Sequence, residues 1–117
     1  MLRTFALMRV VVGGQSWIAP RLSARMVGLD TERNPQAAYW TRLFGIRDVV
    51  LGVAALQTEG DARRRIIRLT AACDAADAAA AVLGRRAGYL SGTGALLSGG
   101  VAVGAGIVAV AAAASAE

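Results

Sequence analysis

Four long runs of apolar residues, separated by short polar stretches, dominate the pattern of the chain. They cover residues 2–19, 36–58, 64–84 and 89–115. About 20 mainly apolar residues are needed to cross a bilayer as an α-helix, and the first run is at the short end of that range. The pattern predicts a single all-α domain over residues 1–117, an antiparallel four-helix bundle embedded in a membrane.

The polar stretch between the first two runs has a weaker helical pattern. Leu22, Met26 and Leu29 recur at i, i+4 and i+7, which is the spacing of one helix face. This spacing favours a short helix lying in the membrane interface between helices one and two. An ordered polar loop fits the stretch equally well.

Composition supports the membrane interpretation. Hydrophobic residues make up 56% of the chain and the mean hydropathy is +0.49, both above an ordinary soluble domain. The alternative is a soluble helical bundle that buries its apolar faces in an oligomer.

Charge is distributed as in membrane helices rather than as in a nucleic-acid-binding protein. The net charge is +5, and every basic residue is arginine. These arginines mostly flank the apolar runs instead of gathering with aromatic residues on one helix face. Five lie near each end of the bundle, so orientation stays open. The tight cluster at residues 63–68 slightly favours both termini in the cytoplasm.

Catalytic and metal-binding patterns are weak. The chain has one cysteine, Cys73, and no histidine, so zinc sites with the usual Cys/His spacing are excluded. Gly104 to Ala109 matches G-x-G-x-x-A, but no strand precedes it and no acidic residue follows about 20 positions later. We therefore expect helix packing there, and neither an enzyme nor a cofactor.

Charged residues also occur near the middle of the apolar runs. Each would cost roughly 2.5–3.5 kcal/mol if left unpaired at mid-membrane, so we expect them to pair. Two arginines face three aspartates, and the carboxylate left over is predicted to hold a proton. The cluster comprises Arg9, Arg47, Asp48, Asp74 and Asp77. It could fix the packing of the helices, relay protons, or pair with charges of another protein.

Small residues mark helix-packing surfaces. Gly45 and Gly52 flank Asp48 on one helical stripe, and glycines at i and i+4 are typical contact surfaces of membrane helices. The last run carries a similar set, which could contact this chain, a second copy or another protein. That set is Gly100, Gly104 and Gly106.

All Trp and Tyr residues fall at one end of the predicted bundle. Trp and Tyr prefer the headgroup level of a bilayer, where ring and polar tip are both satisfied. The four interfacial anchors are Trp17, Tyr39, Trp40 and Tyr89.

A Gly-x-Arg-Asp element (Gly45, Arg47, Asp48) and an Asp-x-x-Asp element (Asp74, Asp77) carry a family resemblance. The chain resembles small uncharacterised four-helix membrane proteins of actinobacteria. The resemblance implies a multi-pass protein of the bacterial inner membrane with a shared charge cluster. It suggests an accessory subunit of a larger envelope complex, such as a lipid importer of the mammalian-cell-entry type.

Two functions are therefore expected from the sequence. The first is a non-enzymatic accessory or stabilising subunit that docks on a larger integral membrane complex through its helix faces. The alternative is a small homo-oligomeric transporter or channel that couples to protons through the Asp/Arg cluster.

Overall fold

The computed structural model describes residues 1–114 as five α-helices, without a strand in that range. The prediction of an all-α fold is confirmed. The helices are α1 (Leu2–Ile18), α2 (Pro20–Met26), α3 (Ala37–Gln57), α4 (Gly60–Arg86) and α5 (Gly92–Ala114). Four long helices thus lie within the four apolar runs or extend slightly beyond them. Ser115, which ends the fourth predicted span, lies outside the described residues.

The short helix between the first two runs is present as α2. Pro20 occupies its first turn, where a missing N–H costs nothing. The helix ends at Met26, and Gly28, just past the cap residue Val27, has a φ of +78° that suits glycine. The Gly28 N–H donates to the Arg25 carbonyl and the Leu29 N–H to the Ala24 carbonyl, both at 3.0 Å. These bonds satisfy the carbonyls at the helix end, so residues 20–26 are helical rather than loop.

Helices α1 and α3 are antiparallel and pack backbone against backbone. A Cβ atom added to Gly13 would lie 2.5 Å from the Gly45 carbonyl oxygen, and one added to Gly45 would lie 2.6 Å from the Gly13 oxygen. Two turns away, a Cβ added to Gly52 of α3 would lie 2.8 Å from the Ala6 oxygen of α1. Only glycine permits this approach, so the glycine stripe of α3 holds α1 within the same chain.

Helices α4 and α5 form the second antiparallel pair, with Ala81 against Gly99 and Asp74 against Gly106. The two pairs contact each other at the end that carries the arginines of residues 63–68. A small apolar core joins all four long helices there. It consists of Phe5, Ala6, Ala55, Ile67, Ala109 and Ala113.

Membrane-spanning character is concentrated in the last helix. Among the described residues, α5 is the one helix that is long and apolar enough to cross a bilayer. The prediction of four spans is therefore not supported for the other three long helices. Helix α1 has 17 residues, and α3 and α4 keep charges in their middles. Most of α5 is exposed, unlike the core helix of a soluble protein.

Candidate functional site: a charged cavity between two helix pairs

Arg9 joins three helices near their midpoints. Its Nη1 atom donates to both Asp48 carboxylate oxygens at 2.8 Å, and its Nη2 atom donates to Asp74 Oδ2. Arg9 is 5% exposed, and Asp48 and Asp74 are each 2% exposed. A planar guanidinium presents several donors in fixed directions, so one arginine can bind carboxylates from two helices.

Arg47 forms the second part of the cluster. It makes two parallel hydrogen bonds to Asp77, from Nη1 to Oδ1 at 3.0 Å and from Nη2 to Oδ2 at 2.6 Å. Its Nη2 atom also lies 3.6 Å from Asp48 Oδ1. The structure thus brings the five predicted charges into one network across α1, α3 and α4. Asp74 and Asp77, neighbours on α4, bind different arginines.

The network contains one more carboxylate than arginine. Asp48 contacts both guanidinium groups and Asp77 makes a two-bond pair with Arg47, whereas Asp74 binds a single nitrogen of Arg9. Asp74 Oδ1 accepts no hydrogen bond from the described part of the chain. Asp74 is therefore the least neutralised member, and a proton or another cation can balance it.

Both phenylalanines of the chain pack against the two arginines, which the sequence analysis missed. The Arg9 Cζ atom lies 5.4 Å from the centre of the Phe5 ring, and the Arg47 Cζ atom lies 4.8 Å from that of Phe44. An aromatic face attracts a cation and shields it from solvent. The signal was available, because Phe–Arg spacings of four and three residues place both side chains on one helix face.

A cavity of about 680 Å³ separates the two helix pairs, on the far side of the charge network from the apolar core. Its walls come from all five helices, and their surface is mostly apolar. Arg9, Asp48, Asp74 and Asp77 line its wall on the side nearer the apolar core. Ser23 of α2 also lines it and is 9% exposed, yet its hydroxyl has no hydrogen-bond partner among residues 1–114. The cavity therefore offers apolar contact area and, at Asp74, a carboxylate oxygen with unused hydrogen-bonding capacity.

The glycines of α5 have three different surroundings. Gly106 packs against α4, where an added Cβ would lie 3.5 Å from the Asp74 Cβ. Gly104 borders the cavity. Gly100 is exposed, and an added Cβ would meet nothing within 4 Å. Of the predicted interface glycines, Gly100 and Gly104 are both exposed with open space around an added Cβ, and Gly100 is the one that does not border the cavity.

The four predicted anchors lie at one end of the molecule. Trp17 lies in the last turn of α1, Tyr39 and Trp40 lie in the first turn of the antiparallel α3, and Tyr89 lies between α4 and α5. All four are exposed. The Arg42 Nε atom donates to the Trp17 carbonyl oxygen at 3.1 Å, which ties α3 to α1 at this end. The rings therefore form one rim around the molecule.

Outside the network, the first turn of α4 holds an exposed ion pair. Arg64 hydrogen-bonds Asp61 and, with Arg65 and Arg68 nearby, holds the pKa of this carboxyl below its usual range. Residues 1–114 include no group of three or more His, Cys, Asp or Glu side chains placed to hold a metal ion. Cys73 is half-buried, with its thiol free.

No known protein family, curated protein or solved structure matches the chain. Inference about function therefore depends on the geometry of the cluster, the cavity and the outer face of α5.

Proposed function

We propose that the chain is a non-enzymatic membrane protein and an accessory or stabilising subunit of a larger membrane complex. The family resemblance favours a lipid importer of the mammalian-cell-entry type as that complex. The multi-pass arrangement and the inner-membrane location belong to the same proposal. Three of the four connections between helices have five residues or fewer, so the chain would contact its partner mainly through helix faces.

The outer face of α5 is the observation that carries this proposal. Large apolar side chains at helical spacing are exposed there, and Gly100 opens a notch between them. The face carries no charge, and small residues in such a notch allow a second helix to approach closely. The exposed side chains on this face are Leu96, Val103, Ile107 and Val110.

Pairing of the charges within the chain is consistent with this role. Arg9, Arg47 and their aspartates bind one another across three helices. They keep the helices in register without requiring a charged partner, which leaves the apolar face of α5 as the docking surface.

Purification of a tagged Gly100→Leu variant from its native membrane in mild detergent tests the proposal. We expect wild-type protein to co-elute with an integral membrane partner at fixed stoichiometry, as determined by mass spectrometry. The leucine would fill the notch, so the variant should lose the partner. Its own fold should persist, because the added side chain meets nothing within the chain.

Gly14→Leu is the matched control. Gly14 lies on α1 and is likewise open within 4 Å of an added Cβ, so this variant should retain the partner. Recovery of only the protein itself, or equal partner recovery in both variants, would contradict docking through this face.

The cavity favours a second candidate, a small homo-oligomeric transporter coupled to protons. Asp74, with one unoccupied carboxylate oxygen, lines an open cavity at mid-height of the helices. Intramembrane carboxyl groups of this kind serve as proton relays. Proton flux into vesicles containing the purified protein should fall in Asp74→Asn, and equal flux in a well-folded variant excludes the relay.

A further inference from the structure

The cavity has the dimensions of a small-molecule site rather than of a packing defect. Its volume of about 680 Å³ lies within the range of roughly 300–1,000 Å³ typical of ligand pockets. A packed core tolerates few voids larger than a water molecule. The α1–α3 and α4–α5 pairs, joined through their apolar core, hold it open.

The charged groups of the cavity wall determine whether the cavity favours a positively or a negatively charged ligand. The network holds three carboxylates and two guanidinium groups, so it carries one excess negative charge when all are ionised. Of the two arginines, only Arg9 lines the cavity. An anion would face this excess negative charge, whereas a monocation would balance it at close range.

The uncharged residues that line the cavity favour a lipophilic ligand. Met8, Val12, Val101 and Val108 provide apolar surface, and Phe44 and Trp40 provide aromatic rings. Aromatic faces attract organic cations as well as apolar groups. A strongly hydrated ion such as Na⁺ would gain little from these walls and would have to lose its water.

We propose that the cavity between the helix pairs binds a small lipophilic monocation, which pairs with Asp74 and packs against the apolar walls. In the empty protein a proton takes the place of the ligand's charge, so cation and proton compete for the same carboxylate. The inference extends the second candidate function and does not depend on docking through α5.

Binding of tetraphenylphosphonium to the purified protein tests the inference, with tetraphenylborate as the control ion of similar shape and opposite charge. In lipid nanodiscs, we expect saturable phosphonium binding at one site per chain and no saturable borate binding. Equal binding of both ions would overturn the inference, because it would reveal an apolar surface without charge selection. This comparison needs no variant and is decisive even if substitutions impair folding.

Two variants then locate the site. Asp74→Asn should weaken phosphonium binding at least about tenfold, as expected for loss of one ion pair in a mostly apolar cavity. Asp61→Asn removes the same charge from an exposed position outside the cavity and should bind like wild type. Unchanged affinity in Asp74→Asn would overturn the assignment of this carboxylate.

Gly100→Leu separates this inference from the proposed function. Gly100 does not line the cavity, so the variant should lose the protein partner and retain phosphonium binding. Failure of phosphonium binding in wild type, with the partner still recovered, would overturn the ligand site and leave the subunit role standing.

Discussion

At the scale of single residues, the Arg9 side chain connects three helices. Its guanidinium binds carboxylates of α3 and α4, and Phe5 covers its face. Breaking a buried ion pair by removing one partner is costly, because the remaining charge stays buried without compensation. Asp48 and Asp74 both depend on Arg9, so its loss affects two helices at once.

Charge balance predicts unequal effects within the network. Arg9→Gln should lower the free energy of unfolding by about 3–5 kcal/mol, because it leaves three carboxylates facing one arginine. Asp74→Asn should cost clearly less, since two arginines then face two aspartates. Chemical unfolding of the purified proteins measures both.

Arg3→Gln is the control for this comparison. Arg3 is an exposed residue at the start of the same helix, and surface substitutions usually stay within about 0.5 kcal/mol. A cost for Asp74→Asn equal to that of Arg9→Gln would show that charge balance does not govern the stability of the network.

At the scale of the helices, glycine decides how closely α1 and α3 approach. Gly13 and Gly45 face each other so closely that neither has room for a Cβ atom. This contact brings the mid-points of the two helices together, and with them Arg9 and Asp48. Gly14, the next residue, points to open space.

Adjacent glycines of α1 should therefore respond to alanine with opposite signs. Gly13→Ala should destabilise the protein by about 1–3 kcal/mol through overpacking. Gly14→Ala should stabilise it by up to about 1 kcal/mol, because alanine favours a helix over glycine. Unfolding free energies of the two variants measure the difference, and the same sign for both would refute the close backbone contact.

At the scale of the whole molecule, the length of α5 suits a bilayer. Its 23 residues rise about 34 Å, close to the roughly 30 Å of a hydrocarbon core. The aromatic rim lies at the end where α5 begins, and the apolar core lies at the opposite end. Exposed apolar side chains occur on every long helix, which favours lipid or a partner protein as the surroundings of the whole bundle.

Quenching of tryptophan fluorescence by brominated lipids tests this placement. Trp17 and Trp40 are the two tryptophans of the chain and should be quenched best by bromine near the headgroups. Val103→Trp, with both natural tryptophans replaced by phenylalanine, should be quenched best by bromine deep in the acyl chains. A soluble oligomer, the alternative that the composition left open, would show no quenching at any depth.

The local pattern of residues along the chain determined where the helices form and where charges lie along them. Apolar runs, Pro20 and the glycines predicted the long helices to within a few residues, because helix formation and hydrophobic content depend on neighbours along the chain. The same pattern placed charges near helix midpoints. It could not establish four membrane spans, since α1 has only 17 residues and charges interrupt the apolar stretches of α3 and α4.

Tertiary structure alone decided how the charges pair and where the cavity lies. Arg9 and Asp74 are 65 positions apart, and nothing in their local sequence indicates that Arg9 would serve both Asp48 and Asp74. That arrangement depends on the close contact of α1 with α3 and on the wider separation of the two helix pairs. Sequence periodicity fixes the direction in which a side chain leaves its own helix, whereas packing between helices fixes what it meets.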